Sequence, residues 1–253
     1  MSVSCQFNGR LGNICFNMAT VIAYCKKYNL QYYFPTYAWA CIDNKVPIQV
    51  ENTGPAPVNF TIYTEPSIQG NPYYVDIPAM DNVGFSGYFQ SFKYFEEYRQ
   101  EVLQGINLPI ILEPGIVGIH IRLGDCIPQP EGFPIAPKRY YDRAIRYMID
   151  KGYKAFRIYS DTPQMARELY LSTFPECSFE YREGYTDVQD FLSLAGCEHI
   201  ITARSTFSLM ASWFNSNPDK IILCPSIEQH YWWLGQNKDM LTGTEHWLTQ
   251  LTW

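Results

Sequence analysis

A histidine, an arginine and an aspartate stand close together in residues 118–125, which read GIHIRLGD. His120 and Arg122 share one side of a predicted strand, with apolar side chains on the other. An arginine at the carboxyl end of a strand can bind an anionic group through two parallel hydrogen bonds. Gly124 permits a sharp turn or a close backbone approach at this point. The structural alternative is an ion pair between Arg122 and Asp125.

Two later segments carry polar side chains between a predicted strand and a predicted helix. Ser160 and Asp161 either cap the helix that follows or, through the carboxylate, accept two N–H donors from a guanine edge. Residues 203–208, ARSTFS, supply hydroxyls and backbone N–H groups at a helix start, a place that favours phosphate. Capping is the alternative there too. Residues 9–13, GRLGN, form a weaker candidate turn of the same kind.

The elements that must position these residues alternate along the second half of the chain. Because strands that alternate with helices form a parallel sheet covered on both faces, the pattern predicts an α/β fold. Ligands of such sheets bind beyond the carboxyl ends of the strands. An arginine, a carboxylate and a hydroxyl-rich helix start at three such ends suit a nucleotide diphosphate. The predicted strands are 116–121, 155–159, 178–181, 199–202 and 220–224, and the predicted helices are 137–150, 162–170, 187–194 and 205–214.

The first half opens with a strand, a glycine turn, a helix that reaches residue 28 and a second strand. Apolar residues at i, i+3 and i+4 spacing give that helix one buried face. Seven prolines predict loops and short strands over residues 35–80. A turn leads into a helix over 87–98, and residues 108–115 are the predicted linker. The sequence therefore predicts an N-terminal half, 1–113, and a C-terminal half, 114–253.

Composition excludes several classes of function. The 253 residues are 47% hydrophobic, which is enough for a core, and the net charge of −6 without a basic run disfavours nucleic-acid binding. Eight scattered cysteines show neither a C-x-x-C pair nor zinc spacing, so they predict small core residues in a reducing compartment. The sequence has neither a signal-peptide pattern nor an apolar run of membrane-spanning length. A cytoplasmic location is therefore expected.

Five segments, in order, resemble motifs of the α-1,2-fucosyltransferases. HIRLGD at 120–125 resembles H-x-R-R-G-D, and FRIYSD at 156–161 resembles F-Y-I-F-S-D. Residues 190–213 resemble the stretch that contains N-S-T-F-S-W-W, GRLGN at 9–13 resembles G-G-L-G-N, and GYFQS at 87–91 resembles G-Y-x-Q-S. The resemblance implies a GT-B-like α/β fold in which two Rossmann-type halves face a cleft. It implies that the first half faces the acceptor and the second binds GDP-fucose.

The same resemblance assigns roles to residues. Arg122 neutralises the diphosphate leaving group, which removes the need for a metal, and His120 lies beside it. Asp161 reads guanine. The base is left open by the resemblance: Asp125 is a candidate because it lies near Arg122 in sequence, and Asp76, Asp81 and Glu96 are others. No cofactor is expected besides the donor substrate. The implied donor-binding residues are Gly12, Asn13, Arg122, Ser160, Asp161, Ser205, Thr206 and Phe207.

The expected activity is inverting transfer of L-fucose from GDP-fucose to a galactose-terminated glycan, with an α-1,2 linkage. The alternatives are another linkage, a protein acceptor, another nucleotide sugar, or a degenerate binding module that no longer transfers sugar. Leu123 stands where the second arginine of the motif is usual, which keeps the last alternative open. A Rossmann oxidoreductase is disfavoured because no G-x-G-x-x-G follows the first strand.

Overall fold

The protein divides into two compact units, neither of which is a continuous stretch of chain. A computed structural model describes residues 2–35, 49–50, 53–54, 61–124, 135–170, 174–226 and 239–252. The first unit comprises Met1–Pro109 and Gly235–Glu245, and the second comprises Ile110–Leu234 and His246–Trp253. The chain therefore returns to the first unit after it has built most of the second.

The first unit is built around a four-stranded sheet in the order β2-β1-β9-β6, with every pair parallel. Strand order reverses between β1 and β9, which makes this the switch point where ligands of open α/β sheets bind. Its elements are β1 (Ser2–Cys5), α1 (Leu11–Tyr28), β2 (Gln31–Tyr32), β3 (Phe34–Pro35), β4 (Gln49–Val50), β5 (Thr53–Gly54), β6 (Thr61–Thr64), β7 (Ser67–Ile68), β8 (Asn71–Pro72), β9 (Val83–Ser86), the 3₁₀ turns Phe92–Tyr94 and Glu96–Tyr98, α2 (Arg99–Gly105) and β10 (Ile106–Asn107).

Helix α1 is buried over most of its length, and polar side chains on it form hydrogen bonds to the chain that precedes and follows β9. Tyr24 accepts a hydrogen bond from the Met80 N–H at 2.8 Å and donates to the Pro78 carbonyl at 2.9 Å. Asn17, only 1% exposed, donates to the Gly87 carbonyl at 3.0 Å. The helix thereby holds the segment that crosses the carboxyl edge of the sheet.

The second unit contains a six-stranded sheet in the order β13-β12-β11-β14-β15-β16, and every pair is parallel. In chain order this is 3-2-1-4-5-6, the doubly wound arrangement, whose switch point lies between β11 and β14. Its elements are β11 (Glu113–Ile121), α3 (Lys138–Asp150), β12 (Ala155–Ser160), α4 (Pro163–Tyr170), β13 (Ser178–Tyr181), α5 (Asp187–Gly196), β14 (Cys197–Ile201), α6 (Thr206–Phe214), β15 (Ile222–Pro225) and β16 (Thr249–Leu251).

The central strand β11 is covered on both faces. Val117, Ile119 and Ile121 are fully buried and belong to the core cluster that contains the apolar face of α3. On the other face, a Cβ on Gly118 would lie 2.6 Å from Leu194 Cδ1 of α5, so a small residue lets α5 approach the strand. The predicted alternation along this strand is confirmed, and it places His120 on the α5 and α6 side.

The predicted alternation of strands and helices is confirmed in the second unit, to within one or two residues at most element ends and with two larger differences. Strand β11 begins at Glu113 rather than 116, because its register with β14 shifts between Glu113 and Val117 and so accommodates Gly115 at φ 81°. The last three residues of the predicted linker, 113–115, therefore belong to β11. Strand β16 was not predicted, since its two exposed residues and one buried residue form too short a pattern.

Within the described part of the chain, Cys5, Cys15, Cys25, Cys197 and Cys224 are buried and unpaired, as expected of small core residues. None of the helices that the structure describes is long and apolar enough to cross a membrane.

Tyr140 fastens α3 to the carboxyl edge of the second sheet. Its ring is fully buried, and its hydroxyl lies 2.9 Å from both the Thr202 and the Leu223 carbonyl oxygens. We expect Tyr140→Phe to lower the free energy of unfolding by about 1 kcal/mol, because the buried carbonyls lose a donor. Urea denaturation measures this change. Tyr147→Phe on the same helix, at a side chain 37% exposed, is the control and should leave stability unaltered.

Candidate functional site

Strand register brings the polar segments of the second half to one edge. Strand β11 pairs His120 with Tyr159 and Ile121 with Ser160 of β12, so the next residues of the two strands, Arg122 and Asp161, lie at the same level. On the other side, Ile119 of β11 pairs with Ile201 of β14, after which the chain runs into α6. The three polar segments therefore meet where β12, β11 and β14 end, beside the switch point.

Arg122 and Asp161 form an ion pair at this edge. Arg122 Nη1 donates to Asp161 Oδ2, and the two side chains are 17% and 26% exposed. The other carboxylate oxygen, Oδ1, accepts hydrogen bonds from the backbone N–H groups of Leu123 and Gly124, both at 3.1 Å. The carboxylate thus binds the guanidinium and the turn that follows it, which fixes the position of Arg122.

Gly124 is required by this arrangement. A Cβ at this position would collide with Asp161 Oδ2, so any side chain would push the carboxylate away from the turn. The glycine was predicted to allow a close approach, and the group that approaches is this carboxylate. Asp125, the partner considered for Arg122 and a candidate base, lies outside the described residues.

His120 is enclosed next to the ion pair. The residue is 6% exposed, and its ring centroid lies 5.1 Å from that of Phe207. Burial lowers the pKa of His120 to about 4 against the opposing effect of Asp161, so the imidazole is neutral at pH 7. Its carbonyl accepts a hydrogen bond from the Tyr141 hydroxyl at 3.1 Å, which fixes the strand end from the α3 side.

The start of α6 shows the capping geometry that was considered for it. Ser205 is the N-cap, and its Oγ accepts a hydrogen bond from the Phe207 N–H at 3.3 Å. Ser208 Oγ accepts from the Ala203 N–H at 3.2 Å and so closes the turn before the helix. The first turn contains no acidic side chain. Its positive end is therefore not neutralised by a carboxylate within the helix, a condition that suits an anion.

Two residues of α5, Asp190 and Phe191, were not singled out from the sequence. The pKa of Asp190 on α5 is raised by burial although the carboxylate accepts a hydrogen bond from Arg182 Nε at 3.1 Å. The ring of Phe191, the next residue, lies 5.3 Å from that of Phe207. Phe191 therefore packs against the start of α6, whereas Asp190 forms an ion pair with Arg182. The available signal was that Asp190 opens the third family-like segment.

Ser160 ends β12, and Arg204 lies between β14 and α6. Ser160 Oγ accepts a hydrogen bond from the Thr162 N–H at 3.2 Å, so it shapes the turn before α4 as the capping alternative proposed. Arg204 is 7% exposed, and burial lowers its pKa. The tyrosines of α3 and Cys224 affect its pKa, which places it toward that side of the sheet.

The remaining predicted residues lie in the first unit, at the start of α1. Arg10 is the N-cap without a side-chain cap, and the first turn carries no acidic residue. Gly12 follows in that turn and is buried. Asn13 Oδ1 accepts a hydrogen bond from Gln90 Nε2 at 2.8 Å, which joins two of the family-like segments.

The structure therefore groups the predicted residues at two sheet edges. Among the residues it describes, no three His, Cys, Asp or Glu side chains cluster as metal ligands would. The second sheet brings together His120, Arg122, Ser160, Asp161, Ser205, Thr206 and Phe207, and the first carries Gly12 and Asn13.

Comparison with known proteins gives one relative of similar sequence. The chain is 32% identical over 135 residues to the O-antigen biosynthesis glycosyltransferase WbnK of Escherichia coli. The match covers 49% of this chain and 41% of that protein, so it spans less than half of either. No protein-family model matches the chain.

Solved structures match over most of the chain. POFUT1 in complex with GDP has a TM-score of 0.50 and 15% identity, covering 87% of this chain and 95% of that one. The α-1,6-fucosyltransferase NodZ co-crystallised with GDP has a TM-score of 0.52 and 11% identity, covering 83% and 90%. The fucosyltransferase NodZ from Bradyrhizobium has a TM-score of 0.50 and 11% identity, covering 83% of this chain and 91% of that one. The parallel sheets of both units thus belong to the GT-B fold of these fucosyltransferases, as the sequence predicted.

Proposed function

We propose that this chain is an inverting glycosyltransferase that moves L-fucose from GDP-fucose to a galactose-terminated glycan in α-1,2 linkage. The observation that carries the proposal is the meeting of Arg122, His120 and the start of α6 at the switch point of the second sheet. The GT-B fold shared with fucosyltransferases, and the sequence similarity to a glycosyltransferase, support a nucleotide sugar as the ligand. GDP in two of the solved structures supports guanine as its base.

The donor diphosphate binds at the carboxyl edge of the second sheet. Arg122 supplies a fixed positive charge, and the first turn of α6 supplies backbone N–H groups with Ser205 and Thr206 hydroxyls beside them. Phe207 packs against His120 and so sets the wall next to the arginine. Arg122 and the first turn of α6 can both bind phosphate oxygens, as a nucleoside diphosphate requires.

Transfer takes place in one displacement. The acceptor hydroxyl oxygen attacks the anomeric carbon from the face opposite the diphosphate, the bond from that carbon to the diphosphate oxygen breaks, and GDP leaves with the electron pair. The acceptor proton passes to a base or to water. Arg122 stabilises the charge that develops on the departing diphosphate, and such fixed charges commonly contribute a few kcal/mol. A protein cation in this position makes a metal unnecessary for the step.

His120 acts as a neutral group in this scheme. With its pKa lowered to about 4 by burial, it adds no positive charge at pH 7 and leaves charge neutralisation to Arg122. A neutral imidazole can both donate and accept a hydrogen bond. We assign it to the wall of the donor site, where it packs on Phe207.

The assignment of Asp161 as the guanine reader stays a prediction, and its contacts favour a second role. Its Oδ2 accepts from Arg122 and its Oδ1 from two backbone N–H groups, so three donors already engage the carboxylate. A carboxylate that also read guanine would have to share these lone pairs. We therefore propose that Asp161 holds Arg122 in place for the diphosphate.

The assignment of residues 1–113 to the acceptor, and of Gly12 and Asn13 to the donor, stays a prediction from the family resemblance. Two alternatives have specific support. A different linkage or acceptor is supported by NodZ, an α-1,6-fucosyltransferase of the same fold. A binding module without turnover is supported by Leu123, which leaves the edge with a single motif arginine.

Arg122→Ala tests the proposal directly. We expect acceptor-dependent GDP release from GDP-fucose to fall by roughly a hundredfold, because a fixed charge on the leaving group is lost. EDTA should leave the wild-type rate unchanged. Release is followed over a panel of galactose-terminated acceptors.

Arg139→Ala, at an exposed position of α3, is the matched control and should keep the wild-type rate. A folded Arg122→Ala protein with full turnover would refute the mechanism. Tight binding of GDP without turnover on any acceptor would favour the binding module, and competition by other GDP-sugars would identify a different donor.

Asp161→Asn separates the two roles of that residue. If Asp161 positions Arg122, the variant should lower the affinities for GDP and for ADP by the same factor, roughly tenfold, because both nucleotides contain the diphosphate. Titration calorimetry with the two nucleotides measures this. A loss confined to GDP, with ADP affinity intact, would show instead that the carboxylate reads guanine.

His120 should make stability depend on pH. The folded pKa of about 4 lies below the ordinary value of 6.5, so the unfolded chain binds the proton more tightly in that interval. The neutral His120 therefore contributes to the free energy of unfolding above pH 6.5. This contribution, roughly 3 kcal/mol in full, is lost as the pH falls toward 4. Urea titrations across pH 4–7 should show a shallower decline for His120→Asn. His246→Asn, at an exposed site, should follow the wild-type curve.

A further inference from the structure

A row of side chains crosses the second sheet on the face that α5 covers. His120 of β11 pairs with Tyr159 of β12. Arg182, the residue after β13, donates its backbone N–H to the Ile158 carbonyl at 2.9 Å and so stands beside Tyr159. Paired residues of neighbouring strands point to the same face, so all three side chains share the α5 side of the sheet. Since adjacent strands lie about 4.8 Å apart, Arg182 is about 10 Å from the wall of the proposed diphosphate site.

Tyr185 presents an aromatic ring at the Arg182 end of this row. The guanidinium carbon of Arg182 lies 3.3 Å from the centroid of the Tyr185 ring, which is the contact of a cation stacked on an aromatic face. Although Arg182 covers one face of the ring, the tyrosine is 52% exposed. The other face of the ring is therefore open to a planar group from solution.

The position of this ring is fixed by its neighbours in sequence. Arg182 Nε donates to the Asp190 carboxylate of α5 at 3.1 Å, and these two side chains are only 13% and 19% exposed. Gly184 adopts φ 77°, a left-handed turn that brings Tyr185 back over Arg182. Thr186, the next residue, is the N-cap of α5 and closes its capping box. An exposed ring that is already fixed loses little freedom when a ligand binds.

The donor nucleotide of the proposed function also needs a place for its base. Arg122 and the first turn of α6 account for the diphosphate, and three donors already engage the Asp161 carboxylate. The stacked pair of Arg182 and Tyr185 lies on the same face of the sheet, about two strand spacings away, a gap that a ribose and its 5′-phosphate bridge. Nucleobases stack on aromatic side chains and need only the face of the ring to do so. The open face of Tyr185 therefore suits the base.

We infer that Tyr185 is the surface on which the base of the donor nucleotide stacks, and that Arg182 is a positioning residue that fixes the ring from behind. The inference rests on the proposed function, in which the diphosphate binds at Arg122 and the start of α6. It adds the place of the base within the second unit. It also states that the base is bound there through its planar face and not through its pattern of hydrogen-bonding groups.

Tyr185→Ala tests the stacking surface. It should lower the affinities for GDP and for ADP by the same factor, roughly tenfold or more, because every base has a face that stacks. Inorganic pyrophosphate has no base, so its affinity should not change. Tyr185→Phe keeps the ring and should bind all three ligands as the wild type does. Titration calorimetry on the whole chain measures these affinities.

Tyr185→Trp turns the same position into an optical probe. Its added indole emission should be quenched by GDP, whose base stacks on it, and should not respond to pyrophosphate. Tyr147 on α3 offers a matched control, because it is 37% exposed and also lies near a cation, with Lys151 Nζ at 5.7 Å from its ring centroid. Tyr147→Ala should keep the wild-type affinity for GDP, and the indole added by Tyr147→Trp should not be quenched by GDP.

Arg182→Gln tests the support behind the ring. Without the guanidinium the ring is no longer fixed, so the affinity for GDP should fall by part of the factor that Tyr185→Ala causes. In the Tyr185→Ala background, Arg182→Gln should cause no further loss, because no ring is left to be positioned. Additive losses would show that Arg182 affects the donor site by another route and would overturn its assigned role.

The same measurements separate the inference from the function on which it rests. If Tyr185→Ala binds GDP as tightly as the wild type, or loses pyrophosphate by the same factor as GDP, the inference is wrong and the proposed function stands. A loss confined to GDP, with ADP affinity intact, would also overturn it, since hydrogen bonds to guanine would then explain the data. Failure of the wild-type protein to bind GDP would refute the proposed function itself. If Tyr185→Ala does not fold, Tyr185→Leu and the emission of Tyr185→Trp decide.

Discussion

The guanidinium of Arg122 follows the central strand β11, where it is largely shielded from water. Its positive charge must nevertheless stay accessible to a ligand. An isolated charge in that position would be costly to desolvate, so it needs a partner that leaves part of it accessible. Asp161 provides this from the neighbouring strand, and it can reach because parallel pairing puts both residues one step beyond their strands. Gly124 leaves room for the carboxylate, and Tyr141 anchors the carbonyl of His120, two residues before the arginine. The strand pairing, the turn at Gly124 and helix α3 all help to fix the position of the Arg122 guanidinium.

Much of the fold could be predicted because the apolar pattern and the local capping residues act over short distances. The alternation along β11 assigned its two faces correctly, and Pro163 stands in the first turn of α4 as expected of a proline. Thr186 and Gln189 close a capping box that begins α5, so the helix starts where the sequence places it. The three polar segments were expected at one edge for the same reason, since a parallel sheet fixes where strand ends lie.

The contacts within the candidate site could not be predicted, because they depend on side chains far apart in sequence. Arg122 and Asp161 are 39 residues apart, and Gln90 and Asn13 are 77 apart. Each partner was singled out or quoted in a motif, yet a motif gives residue types and not which atoms meet. The nearer residue, Asp125, was the natural partner to consider for Arg122. Strand register, which chooses among such partners, follows from the packed sheet as a whole.

The interleaving of the two units has a practical consequence for handling the protein in pieces. The first unit includes Gly235–Glu245, and there Asp239 accepts a hydrogen bond from the Tyr74 N–H at 3.0 Å and from the Ser91 hydroxyl at its carbonyl, also at 3.0 Å. A fragment cut after Pro109 would lack these partners, one of which anchors the residue next to Gln90. The complementary fragment would carry an orphaned segment from the other unit. Exchange of halves between related transferases therefore has to graft two separate stretches of sequence, or the recombined chain will be missing part of its scaffold.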